Sequence, residues 1–148
     1  MPAEARIRAA IVKAIRARGG RPIKYYGCVY TEAGIADELV AYKGLFVWIE
    51  TKRPGEKQTP IQRRKAEEFK PHVAALGTAE NVAQAMAILD TVDEMLYRLH
   101  IIADSLEEDA EAAGCDAGDW DGGSAATCRH CQLQSAAAYL RTFPLTRG

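Results

Sequence analysis

Gly34-Ile35-Ala36-Asp37-Glu38-Leu39-Val40-Ala41-Tyr42-Lys43-Gly44-Leu45-Phe46-Val47-Trp48-Ile49-Glu50-Thr51-Lys52 is the stretch whose reading decides the fold. Two runs of apolar, β-branched and aromatic residues meet at Lys43-Gly44, which is a hairpin signal. With Lys43 and Gly44 as the loop, Tyr42 pairs with Leu45 and Val40 with Val47. Counting outward then sets Asp37 opposite Glu50. Directly opposed residues of a hairpin have Cβ atoms about 5 Å apart, and like charges there repel. Side chains alternate faces with period two, so Lys52 projects with Glu50 while Thr51 points away. Two acids and an amine thus converge at the open end of the hairpin. Such a set suits a divalent cation with a lysine beside it to orient water or act as a base. The same residues also read as a salt-bridge cluster on a solvated sheet face, since clusters of this kind are only statistical markers of function.

The order of short motifs around this hairpin narrows the choice. Asp37, then Glu50-Thr51-Lys52 after the turn, resembles the signature of the PD-(D/E)XK nucleases. Gly34-Ile35-Ala36-Asp37, Ile49-Glu50-Thr51-Lys52-Arg53-Pro54-Gly55 and Thr59-Pro60-Ile61-Gln62 resemble the VRR-NUC branch, over residues 4 to 97. One departure is Ala36, where that branch usually has proline, which loosens the turn into the strand.

The resemblance implies an α/β fold of the restriction-endonuclease type: a central mixed sheet holding the catalytic hairpin, flanked by helices. It implies metal-dependent hydrolysis of DNA phosphodiesters, with a structure-selective endonuclease as one form. Asp37, Glu50 and the Thr51 main-chain carbonyl would hold Mg²⁺ or Mn²⁺, and Lys52 would act beside them. Nearby carboxylates keep a lysine protonated, which favours orientation and charge stabilisation over general base catalysis. Gln62 matches the glutamine of the branch and would contact the site or a DNA phosphate. A homodimer follows only by analogy with small nucleases of this type. The competing class is a non-catalytic DNA-binding or assembly module built on the same fold.

Composition agrees with a globular domain of ordinary size: 148 residues, 48% hydrophobic and 26% charged,. The sequence shows no apolar run long enough to span a bilayer and no signal-peptide core, so a cytoplasmic location is expected. The net charge of −1 hides an asymmetry. Residues 1–77 hold fifteen Lys or Arg against eight Asp or Glu, whereas residues 78–148 hold four against twelve. A basic half around the acids is what a phosphate-backbone binder needs, although charge runs are also ordinary solvated faces. Lys24, Arg53, Arg63 and Arg64 are the candidate DNA contacts on this half.

An amphipathic helix is expected from Pro2 to Arg18, with Ile7, Ile11 and Ile15 on its stripe and Gly19-Gly20 ending it. Glu4 in its first turn either complements the helix dipole or, by the resemblance, adds an acid to the catalytic site. Ile23–Tyr30 reads as a strand with a bend at Gly27. Thr59-Pro60 opens a further helix, and Pro71 bends or ends it. Thr91 and Glu94 have capping-box spacing. That spacing predicts a strand over Val82–Leu89 followed by a helix from Val92 to Ala113, despite the alanines of the first segment. Residues 1–113 are thus read as the nuclease-like domain and 114–148 as an extension. In the extension, Cys115, Cys128 and Cys131, joined by His130 or His100, have the ligand types of a structural Zn²⁺ knot, with plain thiols as the alternative. A short helix over Leu133–Phe143 closes the chain.

Overall fold

The structure, a computed structural model, describes residues 3–24, 33–113 and 129–143. The chain divides into two compact units, Met1–Val92 and Asp93–Gly148. The first unit holds α1 (Ala3–Ala17), β1 (Arg21–Lys24), β2 (Glu38–Tyr42), β3 (Leu45–Thr51), α2 (Pro60–Phe69), a 3-10 turn (Lys70–His72), β4 (Ala75–Ala79) and the start of α3 (Val82–Ala113). The sheet order is β1-β2-β3-β4. The first two pairings are antiparallel and the last is parallel. This is the expected α/β architecture with a central mixed sheet.

The hairpin forms in the expected register, with Tyr42 opposite Leu45, Val40 opposite Val47 and Glu38 opposite Ile49. Lys43 and Gly44 both have positive φ, 49° and 76°. Two central residues in the left-handed region make the tight turn whose twist matches that of the strands, and glycine adopts it without strain.

The two sheet faces are covered differently. Glu38, Val40 and Tyr42 share one face with Val47 and Ile49, and all five are buried. Helix α1 lies on this face: Ile11 and Ile15 are fully buried, and Arg18 donates from Nε to Tyr42 Oη at 3.2 Å. Arg18 also reaches α3, donating to the Met86 carbonyl and the Asp90 carboxylate. Ile88 of α3 sits against Gly77 of β4, where a Cβ would meet its Cδ1 at 2.6 Å. The opposite face carries Phe46, Trp48 and Glu50, and α2 covers it. Trp48 is buried against Phe69, ring centroids 4.8 Å apart, whereas Phe46 at the turn end is 49% exposed.

The second unit is an antiparallel helical pair made by the distal part of α3 and α4 (Arg129–Leu140). Buried Ala103, Ala110 and Ala137 allow close approach. His130 Nδ1 lies 2.6 Å from the Ala110 carbonyl oxygen, and Arg141 bridges Asp104 and Glu107. His100 packs locally, its Nδ1 3.0 Å from the Leu96 carbonyl oxygen. Cys131 lies half-buried on α4, while Cys115 and Cys128 fall outside the described residues, as does the expected strand beyond Lys24. No described helix is long and apolar enough to cross a membrane.

Three sequence expectations are corrected. Val82–Leu89 is not a strand but the start of α3, which runs unbroken to Ala113. The fourth strand is instead Ala75–Ala79. Thr91 lies within the helix, its Oγ1 donating to the Ile88 carbonyl at 2.7 Å, so its spacing to Glu94 is not a capping box. Asn81 caps the helix, its Oδ1 accepting from Gln84 N at 3.0 Å, while Gln84 Oε1 accepts from Glu80 N. The closing helix also starts earlier than expected, at Arg129 rather than Leu133.

If Asn81 is the cap, Asn81→Ala lowers stability by about 1 kcal/mol in denaturant unfolding. Thr91→Ala, inside an exposed helical turn, leaves stability unchanged or slightly higher. The opposite ranking would restore the helix start at Thr91.

Candidate functional site

All of the site lies in the first unit, on the sheet face under α2. Asp37 stands one residue before β2, and its Oδ2 accepts from the Thr51 backbone N–H at 3.0 Å. That bond ties the two strands together beyond the last ladder pair. Glu50 is 2% exposed. Its Oε1 accepts from Lys52 Nζ at 2.9 Å and from Gln62 Nε2 at 2.5 Å. Lys52 is itself buried.

The Gln62 amide is oriented from the helix start. Thr59 caps α2 with its side chain accepting from Gln62 N, and the Thr59 backbone N–H donates to Gln62 Oε1 at 2.9 Å. This is a capping box, with Pro60 at the first helical position,. With Oε1 engaged, only the NH₂ group is left to face Glu50. Gly34 lets α2 lie this close: its φ is +86°, and a Cβ there would meet the Ile61 carbonyl oxygen at 3.0 Å.

The electrostatics follow from burial and an excess of acid. Burial pushes the Glu50 carboxyl up from its ordinary value, and the Asp37 charge adds to this, against hydrogen bonds from Lys52 and the Asp37 backbone. For Lys52, burial opposes the charged form, but the hydrogen bond and charge of Glu50, with Glu56 and Asp37, outweigh it and raise its pKa. Both groups therefore hold protons more tightly than in water. A cluster with more carboxylates than ammonium groups attracts positive charge of any kind.

Among the described residues no group of three or more His, Cys, Asp or Glu side chains could hold a metal ion. The oxygen donors that meet here are the Asp37 and Glu50 carboxylates, close enough for the Asp37 charge to act on Glu50. An all-oxygen set of this size fits Mg²⁺ or Mn²⁺, which bind through one or two carboxylates and keep several waters.

The remaining sequence candidates are spread around this centre. Glu4, in the first turn of α1, lies 4.0 Å from Arg53 Nε. Arg53 is exposed and also pairs with Glu56 at 3.2 Å in the turn after β3. Arg63 and Arg64 are exposed on α2, next to Gln62. Lys24 ends β1, and its side chain lies outside the described residues. Thr51 points to the other face, with its Oγ1 buried and without a hydrogen-bond partner among the described residues.

Sequence reading missed two residues here. Arg8 donates from Nε to Glu38 Oε1 at 2.6 Å and from Nη2 to the Asp37 carbonyl at 3.0 Å. Glu38 is 2% exposed. The signal was available: Glu38 alternates with Val40 and Tyr42, so an acid enters the buried face and demands a cation. Lys65 of α2 is the other: it is buried and its Nζ lies 2.8 Å from Glu68.

With this geometry in view, a solved structure described as a VRR_NUC domain superposes on the chain with a TM-score of 0.51, covering 59% of this chain and 94% of that one at 24% identity. The fold is that of a VRR-NUC domain. No protein-family model matches the chain, and no curated protein does. The VRR-NUC fold thus accounts for the mixed sheet and its hairpin, and the side-chain geometry above is this chain's own.

The raised Glu50 carboxyl carries a stability consequence. A carboxyl whose pKa is higher in the folded state stabilises the fold below its unfolded pKa and loses that contribution as pH rises through the folded value,. In EDTA at neutral pH, Glu50→Gln is therefore expected to unfold at a higher temperature than the parent. The gap should close near pH 4. A lower midpoint for Glu50→Gln at neutral pH would mean that the Lys52 attraction outweighs burial.

Proposed function

We propose that the chain is a divalent-metal-dependent nuclease that hydrolyses DNA phosphodiester bonds. The observation that carries this reading is Glu50: a buried carboxylate, held by Lys52 and Gln62, beside an Asp37 fixed to the same strand by the Thr51 amide. A solvated salt-bridge cluster has no reason to bury its acid or to engage a helix-capping glutamine with it.

Asp37, Glu50 and the Thr51 main-chain carbonyl would hold Mg²⁺ or Mn²⁺. When bound, the cation polarises the phosphate and lowers the pKa of a bound water. Lys52, kept protonated by its neighbours, orients the attacking water and offsets charge on the phosphate oxygens,. Gln62 fixes the rotamer of Glu50. Arg53, Arg63, Arg64 and Lys24 meet the DNA backbone, and Glu4 keeps Arg53 near the site,.

The test is cleavage of plasmid and branched DNA with Mg²⁺, with Mn²⁺ and with EDTA. Asp37→Ala and Glu50→Ala are expected to lower the rate by about 100-fold or more, because several kcal/mol of charge stabilisation depend on the metal. Their circular dichroism should remain that of the parent. Parental rates in either variant at saturating Mg²⁺ would refute the site. No cleavage by the parent under any condition would favour a DNA-binding module without catalysis.

Binding to uncut DNA in EDTA should weaken steeply with salt. Replacing both Arg63 and Arg64 by alanine should reduce the slope of log K against log salt by about 2. An unchanged slope would remove both arginines from the DNA interface.

A further inference from the structure

We propose that Arg8 is a positioning residue for the Asp37 carboxylate, and that it sets the divalent-cation affinity of the site from the opposite face of the sheet. The inference rests on the metal-site reading above and concerns a residue outside the nuclease motifs.

Arg8 projects from α1 onto the face that carries Glu38, Val40 and Tyr42, whereas Asp37 sends its carboxylate toward Glu50 on the other face. One guanidinium engages two successive residues: Nε donates to the Glu38 carboxylate and Nη2 to the Asp37 main-chain oxygen. The Glu38 side chain is only 3% exposed and that of Arg8 28%, so the pair is shielded from competing water. Charge-assisted bonds of this forked kind fix direction as well as distance.

The need for such a clamp follows from where Asp37 sits. It precedes the first residue of β2, and Ala36 before it has no ring to restrict the backbone. Among the described residues its carboxylate is held by one amide, that of Thr51. Rotation of the Asp37–Glu38 peptide would swing that carboxylate relative to Glu50. Arg8 opposes this rotation by holding the carbonyl on one side and the next side chain below it. Residues that orient a metal ligand without touching the metal commonly change affinity by about 10- to 100-fold when replaced.

Electrostatics make the proposal separable from a simple charge effect. Arg8 is a cation beside a cation site, so deleting its charge alone should tighten metal binding. Losing a positioning residue should weaken it. The sign of the change therefore discriminates.

The experiment is Mn²⁺ binding to the full chain without DNA, followed by titration calorimetry well below the unfolding temperature. Arg8→Gln and Arg8→Lys are both expected to weaken Mn²⁺ about 10-fold, because lysine keeps the charge but cannot fork. Arg18→Gln, which cuts the α1 contacts to Tyr42 and Asp90 at the far end of the helix, should lower the unfolding temperature and leave Mn²⁺ affinity unchanged. If burying an unpaired Glu38 stops Arg8→Gln from folding, Arg8→Lys decides. Parental or tighter Mn²⁺ binding in the folded Arg8 variants overturns the clamp while leaving the metal site intact. An equal loss in Arg18→Gln also overturns it, since general loosening would then suffice. A parent that binds Mn²⁺ no better than Asp37→Ala overturns the clamp together with the metal-site reading beneath it.

Discussion

A hydrogen bond from the Thr51 amide to the Asp37 carboxylate joins the two ends of the hairpin at the point where the ladder has run out, and the Asp37 backbone meets the Glu50 carboxylate in return. Beyond the pair Glu38–Ile49 the strands would otherwise be free to splay, driven by repulsion between Asp37 and Glu50. The bond turns a repulsive pair into a fixed one, because the acid that would push its neighbour away is anchored to that neighbour's own strand. Everything else near the site supports this geometry. β4 lines the other side of β3, the Lys52 amide donating to the Ala79 carbonyl at 3.0 Å, so the strand end that bears Glu50 and Lys52 is held on both flanks.

The second constraint is local helix chemistry put to another use. A capping box ordinarily satisfies two orphan amide donors at a helix start. In α2 the same box fixes the rotamer and amide orientation of Gln62, and the unused NH₂ group meets Glu50. Helix stability and site geometry therefore rest on one side chain. The aromatic contact of Trp48 with Phe69 sets the distance between α2 and the sheet over which that amide must reach.

The hairpin was legible in the sequence because its information is local: a turn dipeptide, alternation of faces, and a register fixed by counting. Asp37, Glu50, Lys52 and Gln62 came from that arithmetic and from motif order. β4 was not legible, since Ala75, Gly77 and Ala79 are weak strand formers and the segment is a strand only because β3 lies beside it,. The start of α3 was misread by weighing the Thr91–Glu94 spacing above the helix propensity of the alanines before it; Asn81 and Gln84, which cap the helix, have the same spacing. Hydrogen bonds distinguish them, because a threonine inside a helix can spend its hydroxyl on its own preceding turn,. The Arg8–Glu38 pair spans 30 positions, and only the unexplained acid on an apolar strand face hinted at it.

That acid also says why the two faces of this sheet are not independent. Glu38 and Asp37 are neighbours in sequence and leave the strand in opposite directions, one into the packed interface with α1 and one into the site. A side chain buried beneath the sheet is thereby coupled to a carboxylate above it through a single peptide plane. Burying Glu38 would be unfavourable without its cation, so the packing of α1 requires Arg8 to be where it is. The same guanidinium then has a donor left over, and the Asp37 carbonyl is within its reach. Packing on one face and geometry on the other are satisfied by one residue, which makes the interface with α1 part of the site's construction.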